Sequence, residues 1–269
     1  MNIGMSTSCV YPLSVEEGFR HSWLAGFDGV EVMVTNDKRT QSARELLELS
    51  QQYEQPILSI HAPVLLLTHF VWGRDPQIKL EKSAELAAEV GASTVVVHPP
   101  FRWQSSYADR FLDIVRQTQE RTGVDIAVEN MFPWKVRNRS MEAYAPGPDP
   151  RQMDCDAVTL DFSHAALSGH DAFQLALDFG DRLKHVHLCD GTGPDEDSRI
   201  FDEHLLPGEG GQPVAEVLQH LAARDWSGHI VAEVNTRKAK TPQERLSLLT
   251  QTLAFAREHT ASVPAELVQ

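Results

Sequence analysis

Nine side chains of metal-binding type close six short apolar runs or lie in the segments that follow them, and no other feature constrains this chain as tightly. They are His61 in SIHAP, His98 in VVVHPP, Glu129 in IAVEN, Asp161 and His164 in TLDFSHA, His187 in HVHLCD, Asp202 and His204 in FDEHLLPGEG, and Glu233 in IVAEV. Most follow Val, Ile, Leu or Ala, residues that suit buried strands. A carboxylate or imidazole ending such a run costs free energy unless it is paired or ligates a metal. Six such endings point to a single site assembled from many strands. The fold must therefore bring many strand ends to one face.

The order of elements agrees. Candidate strands lie at Asn2–Thr7, Gly29–Val34, Ile57–His61, Thr94–His98, Val124–Glu129, Val158–Asp161, Leu183–Leu188 and Ile230–Val234. Between them, apolar residues recur every three or four positions, predicting helices near Ser14–Leu24, Ser42–Tyr53, Pro76–Val90, Ala108–Thr122, Ala172–Phe179, Val214–Ala223 and Pro242–His259. Between Glu129 and Val158 only a short helix near Asp149–Cys155 is expected. Ser14, Asp75 before Pro76 and Thr241 before Pro242 read as N-caps, and Gly91, Gly123 and Gly180 as helix stops. Alternating strands and helices imply a parallel sheet. An open doubly wound sheet concentrates its chemistry at one or two strand ends. Here polar endings recur from the third strand to the eighth, so the expected fold is α/β, a single (β/α)8 TIM barrel spanning residues 1–269. Its site would lie at the C-terminal ends of the strands.

Composition narrows the partners. A net charge of -14 weighs against a protein whose whole surface binds nucleic acid. The three cysteines form no CxxC pair and fit a reducing compartment. With no long apolar stretch and no secretory leader pattern, a cytoplasmic protein with no membrane partner is expected. Helix faces leave a homo-oligomer open.

Residues two apart in a strand share a face. Ala127 with Glu129, Thr159 with Asp161, and Val231 with Glu233 would therefore line the barrel interior, with the acidic member at the mouth. His185 would lie one layer below His187 as a core histidine. Glu129, Asp161, His187 and Glu233, from strands five to eight, are enough to hold a divalent cation. Their mixed oxygen and nitrogen donors suit Mn, Zn, Co or Mg. His61 and His98 could hold a second with Glu129 bridging, and His164, Asp202 and His204 a third, giving one to three ions per chain. The competing reading has these side chains hydrogen-bonding a substrate hydroxyl or phosphate directly. His21, His69, His170, His220, His229 and His259 read as loop or helix-surface residues.

The chain resembles the xylose isomerase-like TIM-barrel superfamily, from GFDGVEV near the start to VAEV near the end. That superfamily includes sugar and sugar-phosphate isomerases and epimerases, and also endonuclease IV. Glu129, Asp161, His187 and Glu233 match the single-metal set of the ketose epimerases in strand order and type. All nine residues match the trinuclear zinc set of endonuclease IV, including Asp161-x-x-His164 and the D-x-H of Asp202 and His204.

Two reactions follow. In an isomerase or epimerase, Glu129 and Glu233 act as base and acid around an enediolate, His164 hydrogen-bonds substrate, and Glu31 contacts a hydroxyl. In an endonuclease IV-like zinc phosphodiesterase, a bridging hydroxide attacks phosphorus. That resemblance also implies an aromatic residue soon after the strand-three histidine. Here His61 is followed by APVLLLTHF, with no tyrosine, and with the acidic charge this weighs against duplex DNA. A lyase or dehydratase acting on a related polyol is a third reading. Lys38, Arg39, Arg102, Lys135, Arg137, Arg139, Arg237, Lys238 and Lys240 all fall on loops at the predicted mouth. Arg137 and Arg139 are candidates for a phosphate, and Trp103 for stacking on a sugar ring. The expected partner is a small sugar or sugar phosphate.

Overall fold

Eight parallel strands close into a barrel: β1 (Asn2–Ser6), β2 (Val30–Met33), β3 (Ile57–His61), β4 (Thr94–Val97), β5 (Asp125–Glu129), β6 (Val158–Asp161), β7 (Leu183–Leu188) and β8 (His229–Ala232). Each pairs with its sequence neighbour, and β8 returns to β1 with Asn2 opposite His229 and Met5 opposite Ala232. The structure is a computed structural model and describes residues 1–63, 68, 70–136, 139–193 and 202–261, with the side chains at 135–136 and 139–140 outside that description.

The expected (β/α)8 barrel is thus the observed fold. The helices Val15–Ala25, Ala43–Tyr53, Pro76–Val90, Phe111–Thr122, Ala172–Phe179, Val214–Ala223 and Pro242–Thr260 surround it. Their starts follow local chemistry. The side chains of Ser14, Asp75 and Thr241 accept the backbone N–H of Glu17, Gln77 and Glu244, satisfying donors the first turn leaves open. Gly91 and Gly123 close two helices in the left-handed conformation, at φ of 78° and 71°.

The large apolar core lies between strands and helices. Ile3, Val30, Ile60, Val95, Ile126, Leu160, Val186 and Ile230, one from each of the eight strands, point outward to meet Phe19, Leu46, Leu80, Phe111, Leu175 and Leu218. Inside the barrel polar side chains predominate beside Val96, Ala127 and Val231. Ser6, Glu31, Ser59, Thr159, His185 and His187 are all fully buried there. A smaller apolar cluster of Phe101, Met131, Ala143 and Tyr144 packs the loops after β4 and β5 together.

Several short elements were not anticipated, among them a helix at Ser105–Ala108 and 3-10 turns at Lys38–Gln41 and Gly180–Arg182. A short helix, Phe162–Ser168, starts directly from Asp161, and a 3-10 turn, Thr7–Val10, follows β1. Trp134–Val136 and Arg139–Met141 form an antiparallel pair. The expected helix near Asp149–Cys155 is a single 3-10 turn, Pro150–Gln152, capped by Asp149. His21 is buried rather than on the surface, its Nδ1 lying 2.7 Å from the Glu17 carbonyl one turn back. His69 lies outside the described residues.

Candidate metal centre

All nine side chains singled out by the sequence meet at the C-terminal mouth of the barrel. Glu129, at the end of β5, is the hub. One of its oxygens lies 3.0 Å from His98 Nε2 and 3.6 Å from His61 Nε2. The other lies 3.1 Å from His187 Nδ1 and 3.2 Å from His164 Nδ1. Glu233, just past β8, places Oε2 3.0 Å from His187 Nδ1, and Asp161 places Oδ2 3.7 Å from the same nitrogen. Ligand atoms of Glu129, Asp161, His187 and Glu233 all fall within 4.8 Å of one another, and all four residues are buried. Four further groups of the same kind adjoin it: Glu31 with His185 and His187, His61 with His98 and Glu129, Asp161 with Cys189 and His204, and His164 with Asp202 and His204.

Local structure aims each group. Asp161 caps the helix it precedes, its Oδ1 accepting the His164 N–H at 2.7 Å, so D-x-x-H is a helix start as well as a ligand pair. Asn130, directly after Glu129, clamps the end of β6. Its amide donates to the Asp161 carbonyl at 3.0 Å, and its Oδ1 accepts the Asp161 N–H at 2.8 Å. Asp202 receives Ser163 Oγ at 2.7 Å and sits 3.1 Å from His164 Nε2 and 2.7 Å from His204 Nε2. His204 is held in the left-handed region (φ 44°), with Nδ1 2.6 Å from the Glu233 carbonyl. Ser8 Oγ donates to Glu233 Oε1 at 3.0 Å. Ser8, Asn130 and Ser163 were missed from sequence, although Asn130 and Ser163 each adjoin a ligand.

The electrostatics are those of a carboxylate cluster balanced by imidazoles. Burial opposes the charge on Glu129, yet the rings of His187, His98 and His164 outweigh it and hold the carboxyl well below the usual range. Burial would lower His187, but Glu233, Glu31 and Glu129 carry it well above its ordinary value. Burial likewise works against His164, and Asp161, Asp202 and Glu129 raise it well above normal. Asp161 is pushed up, chiefly by burial. Among the described residues no Lys or Arg pairs with Glu129, Asp161 or Glu233. Glu129 Oε2 is buried without a hydrogen bond. A carboxylate and imidazole cluster with an unsatisfied oxygen and no Lys or Arg partner among the described residues fits a divalent metal ion by donor type.

A cavity of about 710 Å³ opens from this cluster, bounded by His61, His98 and Glu233 below and by Tyr11, Asn36 and Arg237 above. Glu31, expected to reach a substrate hydroxyl, does not border it. Glu31 stands mid-strand, fully buried beneath His187. Trp103 also misses the cavity, being stacked on Phe101 with ring centroids 4.3 Å apart. Arg137 and the Arg139 side chain lie outside the described residues. Of the basic rim, Arg39 pairs with Glu16 and Arg102 with Glu142, while Arg237 lies over the Tyr11 ring.

Residues 24–259 match the family described as xylose isomerase-like TIM barrel. An uncharacterized protein of Mycobacterium tuberculosis (strain H37Rv) is 42% identical over 278 residues, covering 96% of this chain and 98% of its own. Fructoselysine 3-epimerase of Escherichia coli O157:H7 is 22% identical over 270 residues, covering 90% and 94%. The crystal structure of a D-tagatose 3-epimerase-like protein superposes with a TM-score of 0.67 at 25% identity, covering 97% of this chain and 100% of that one. A 3-keto-D-glucoside 4-epimerase from E. coli shares the fold at a TM-score of 0.68 and 20% identity, covering 96% and 99%. No helix among the described residues is long and apolar enough to cross a membrane.

Proposed function

We propose that this chain, which belongs to the xylose isomerase-like TIM-barrel family, is a divalent-metal-dependent epimerase or isomerase of a keto-sugar. The observation that carries this reading is the convergence of Glu129, Asp161, His187 and Glu233, from four consecutive strands, on one buried point beneath an open cavity. Relatives named as epimerases of sugar derivatives support the substrate class. Mn, Zn, Co or Mg suits the donor set. A divalent cation held by Glu129, Asp161, His187 and Glu233 would supply Lewis acidity, making the C–H beside a ketone easier to ionise.

The chain's own groups then move the proton. Glu129 and Glu233 approach from strands separated by two others in the barrel. One removes the C–H proton, leaving an enediolate, and the other returns a proton to the opposite face or to the adjacent carbon. Glu129, held ionised by its imidazoles, is ready to accept. Ser8 fixes one oxygen of Glu233, leaving the other directed at the centre. His164 borders the cavity with Nδ1 on the Asn130 carbonyl and Nε2 on Asp202, so a substrate oxygen would bond it by taking the place of one of these partners.

The test is exchange of the substrate C–H for deuterium when Mn(II)-loaded protein is incubated with a panel of keto-sugars in D2O, followed by NMR. Glu233→Gln should abolish exchange while Mn(II) still binds. Exchange at the wild-type rate in that variant removes Glu233 from the chemistry.

A second reading, phosphodiester hydrolysis, is favoured by one observation: His61, His98, His164, Asp202 and His204 also gather in ligand-like groups beside the centre. Three zinc ions per chain together with incision of abasic duplex DNA would establish it over the epimerase reading.

A further inference from the structure

The interior of the barrel contains a carboxylate that the proposed chemistry does not use. Glu31 lies mid-strand in β2, fully buried, on the side of His187 away from the cavity. The two edges of the His187 ring face different partners. Nδ1 is 3.1 Å from Glu129 Oε1 and 3.0 Å from Glu233 Oε2. Nε2 is 3.2 Å from Glu31 Oε1 and 3.4 Å from Glu31 Oε2.

We infer that Glu31 is a positioning residue that grips His187 by its Nε2 edge and so presents Nδ1 to the cation, an inference that rests on the metal-centre reading above. The chemistry is direct. An imidazole that gives its Nδ1 lone pair to a cation carries its proton on Nε2, and that N–H needs an acceptor inside a barrel closed to water. Glu31 is that acceptor. Ring rotation would put Cδ2 in place of Nδ1 and Cε1 in place of Nε2, and the hydrogen bond from Nε2 to Glu31 opposes it.

The surroundings suit this role, while Glu31, His185 and His187 also stand close enough together to hold a cation themselves. Ser59, opposite Glu31 in the strand register, donates its hydroxyl to Oε2 at 2.8 Å. His185 Nε2 lies 2.9 Å from the same oxygen. The His187 ring is further held by stacking on His61, with centroids 5.6 Å apart and planes within 10°. No Lys or Arg neutralises Glu31 among the described residues. A buried carboxylate with no Lys or Arg beside it is costly. Retaining the charge makes sense where it serves the ring above it.

Glu31→Gln and Glu31→Asp test this. Gln keeps the shape and loses the charge, while Asp keeps the charge and loses the reach to Nε2. Mn(II) affinity is measured by calorimetry, melting is measured in chelator, and the His187 tautomer is read by 1H–15N correlation of histidine-labelled, Mg(II)-loaded protein. Both variants should bind Mn(II) about 10- to 100-fold more weakly, the usual cost of losing such an outer partner. The Nε2–H signal of His187 should lose its strong hydrogen-bond shift, while the KM for substrate at saturating metal stays near wild type. If Glu31→Gln does not fold, Glu31→Asp carries the same comparison.

Wild-type Mn(II) affinity in a folded variant overturns the inference. So does loss of one whole equivalent of metal with the remaining affinity unchanged, which would make Glu31 a ligand itself. Failure of the wild-type protein to bind any divalent cation is distinguishable from both, because it removes the metal centre and this inference with it.

Discussion

Replacing Glu129 by glutamine in metal-free protein isolates the charge at the hub of the cluster. Glu129 meets four imidazoles, but their dependence on it differs. His164 also has Asp202, and His187 also has Glu31 and Glu233. His61 and His98 meet no other carboxylate among the described residues. Removing one partner of a buried pair costs about 3–5 kcal/mol when the other stays charged.

The cost depends on pH in a definite direction. The Glu129 carboxyl is depressed, so its contribution is present above about pH 4.3 and is lost as pH falls through the folded value. His61 is raised: burial opposes the charge, and Glu129 more than restores it. Its contribution is therefore complete below about pH 6.5 and is lost as pH rises through the folded value. Between those limits Glu129→Gln should cost about 3 kcal/mol. At pH 8 and above the loss should shrink, because neutral imidazoles accept an amide neighbour. Unfolding entropy of about 2.1 cal/mol/K per residue makes 3 kcal/mol equal to a fall in Tm of about 5 °C. Thermal melts in chelator at pH 6 and pH 8.5 measure both values. A loss that is the same at the two pH values, or below about 1 kcal/mol at pH 6, refutes the hub of charge described above.

Two further outcomes are expected. Protons on His187 and His164, both raised well above normal, must leave before a cation binds, so Mn(II) affinity should climb between pH 6 and pH 8 by up to about tenfold per unit for each proton released. Calorimetry in buffers of different ionisation enthalpy counts those protons, and a pH-independent affinity contradicts the assignment. Separately, a Cβ at Gly210 would fall 2.4 Å from Asp190 Oδ1 and 2.6 Å from the Gly191 nitrogen. Asp190 there gathers the N–H groups of Gly191, Gly208, Gly210 and Gln212. Gly210→Ala should therefore cost about 1–3 kcal/mol of stability and loosen the segment that carries Asp202 and His204, seen as a lower Tm and fewer metal ions per chain.

The barrel and its centre were legible because strand ends and ligands coincide. A run such as IAVE is both a buried strand and a declaration that its last residue has business at the mouth. What escaped was information with two uses. Asp161 and His164 read as a metal pair, which hid the helix that Asp161 caps. Glu31 read as a mouth residue, although Val30 and Val32 on either side belong to the outer core and alternation already turned the glutamate inward. Its depth was also available, since it stands mid-strand while Glu129 and Asp161 end theirs. The pair Trp134–Val136 and Arg139–Met141 left no periodic trace, being three residues a side and held partly by the aromatic cluster of Phe101 and Tyr144. His21 was misplaced because a ring that bonds its own helix one turn back looks, in sequence, like any polar position on that helix.

The division between an oily outer sleeve and a polar axis has a practical corollary. Folding strength resides in a shell that never touches a reactant, and reactivity resides in a column that contributes little grease. Volume-conserving exchanges at Leu80, Ile114 or Leu218 should change stability by less than about 1.5 kcal/mol and leave turnover alone. A protein engineer could reshape the funnel around Tyr11 and Asn36 for a new sugar without spending the scaffold's reserve of stability.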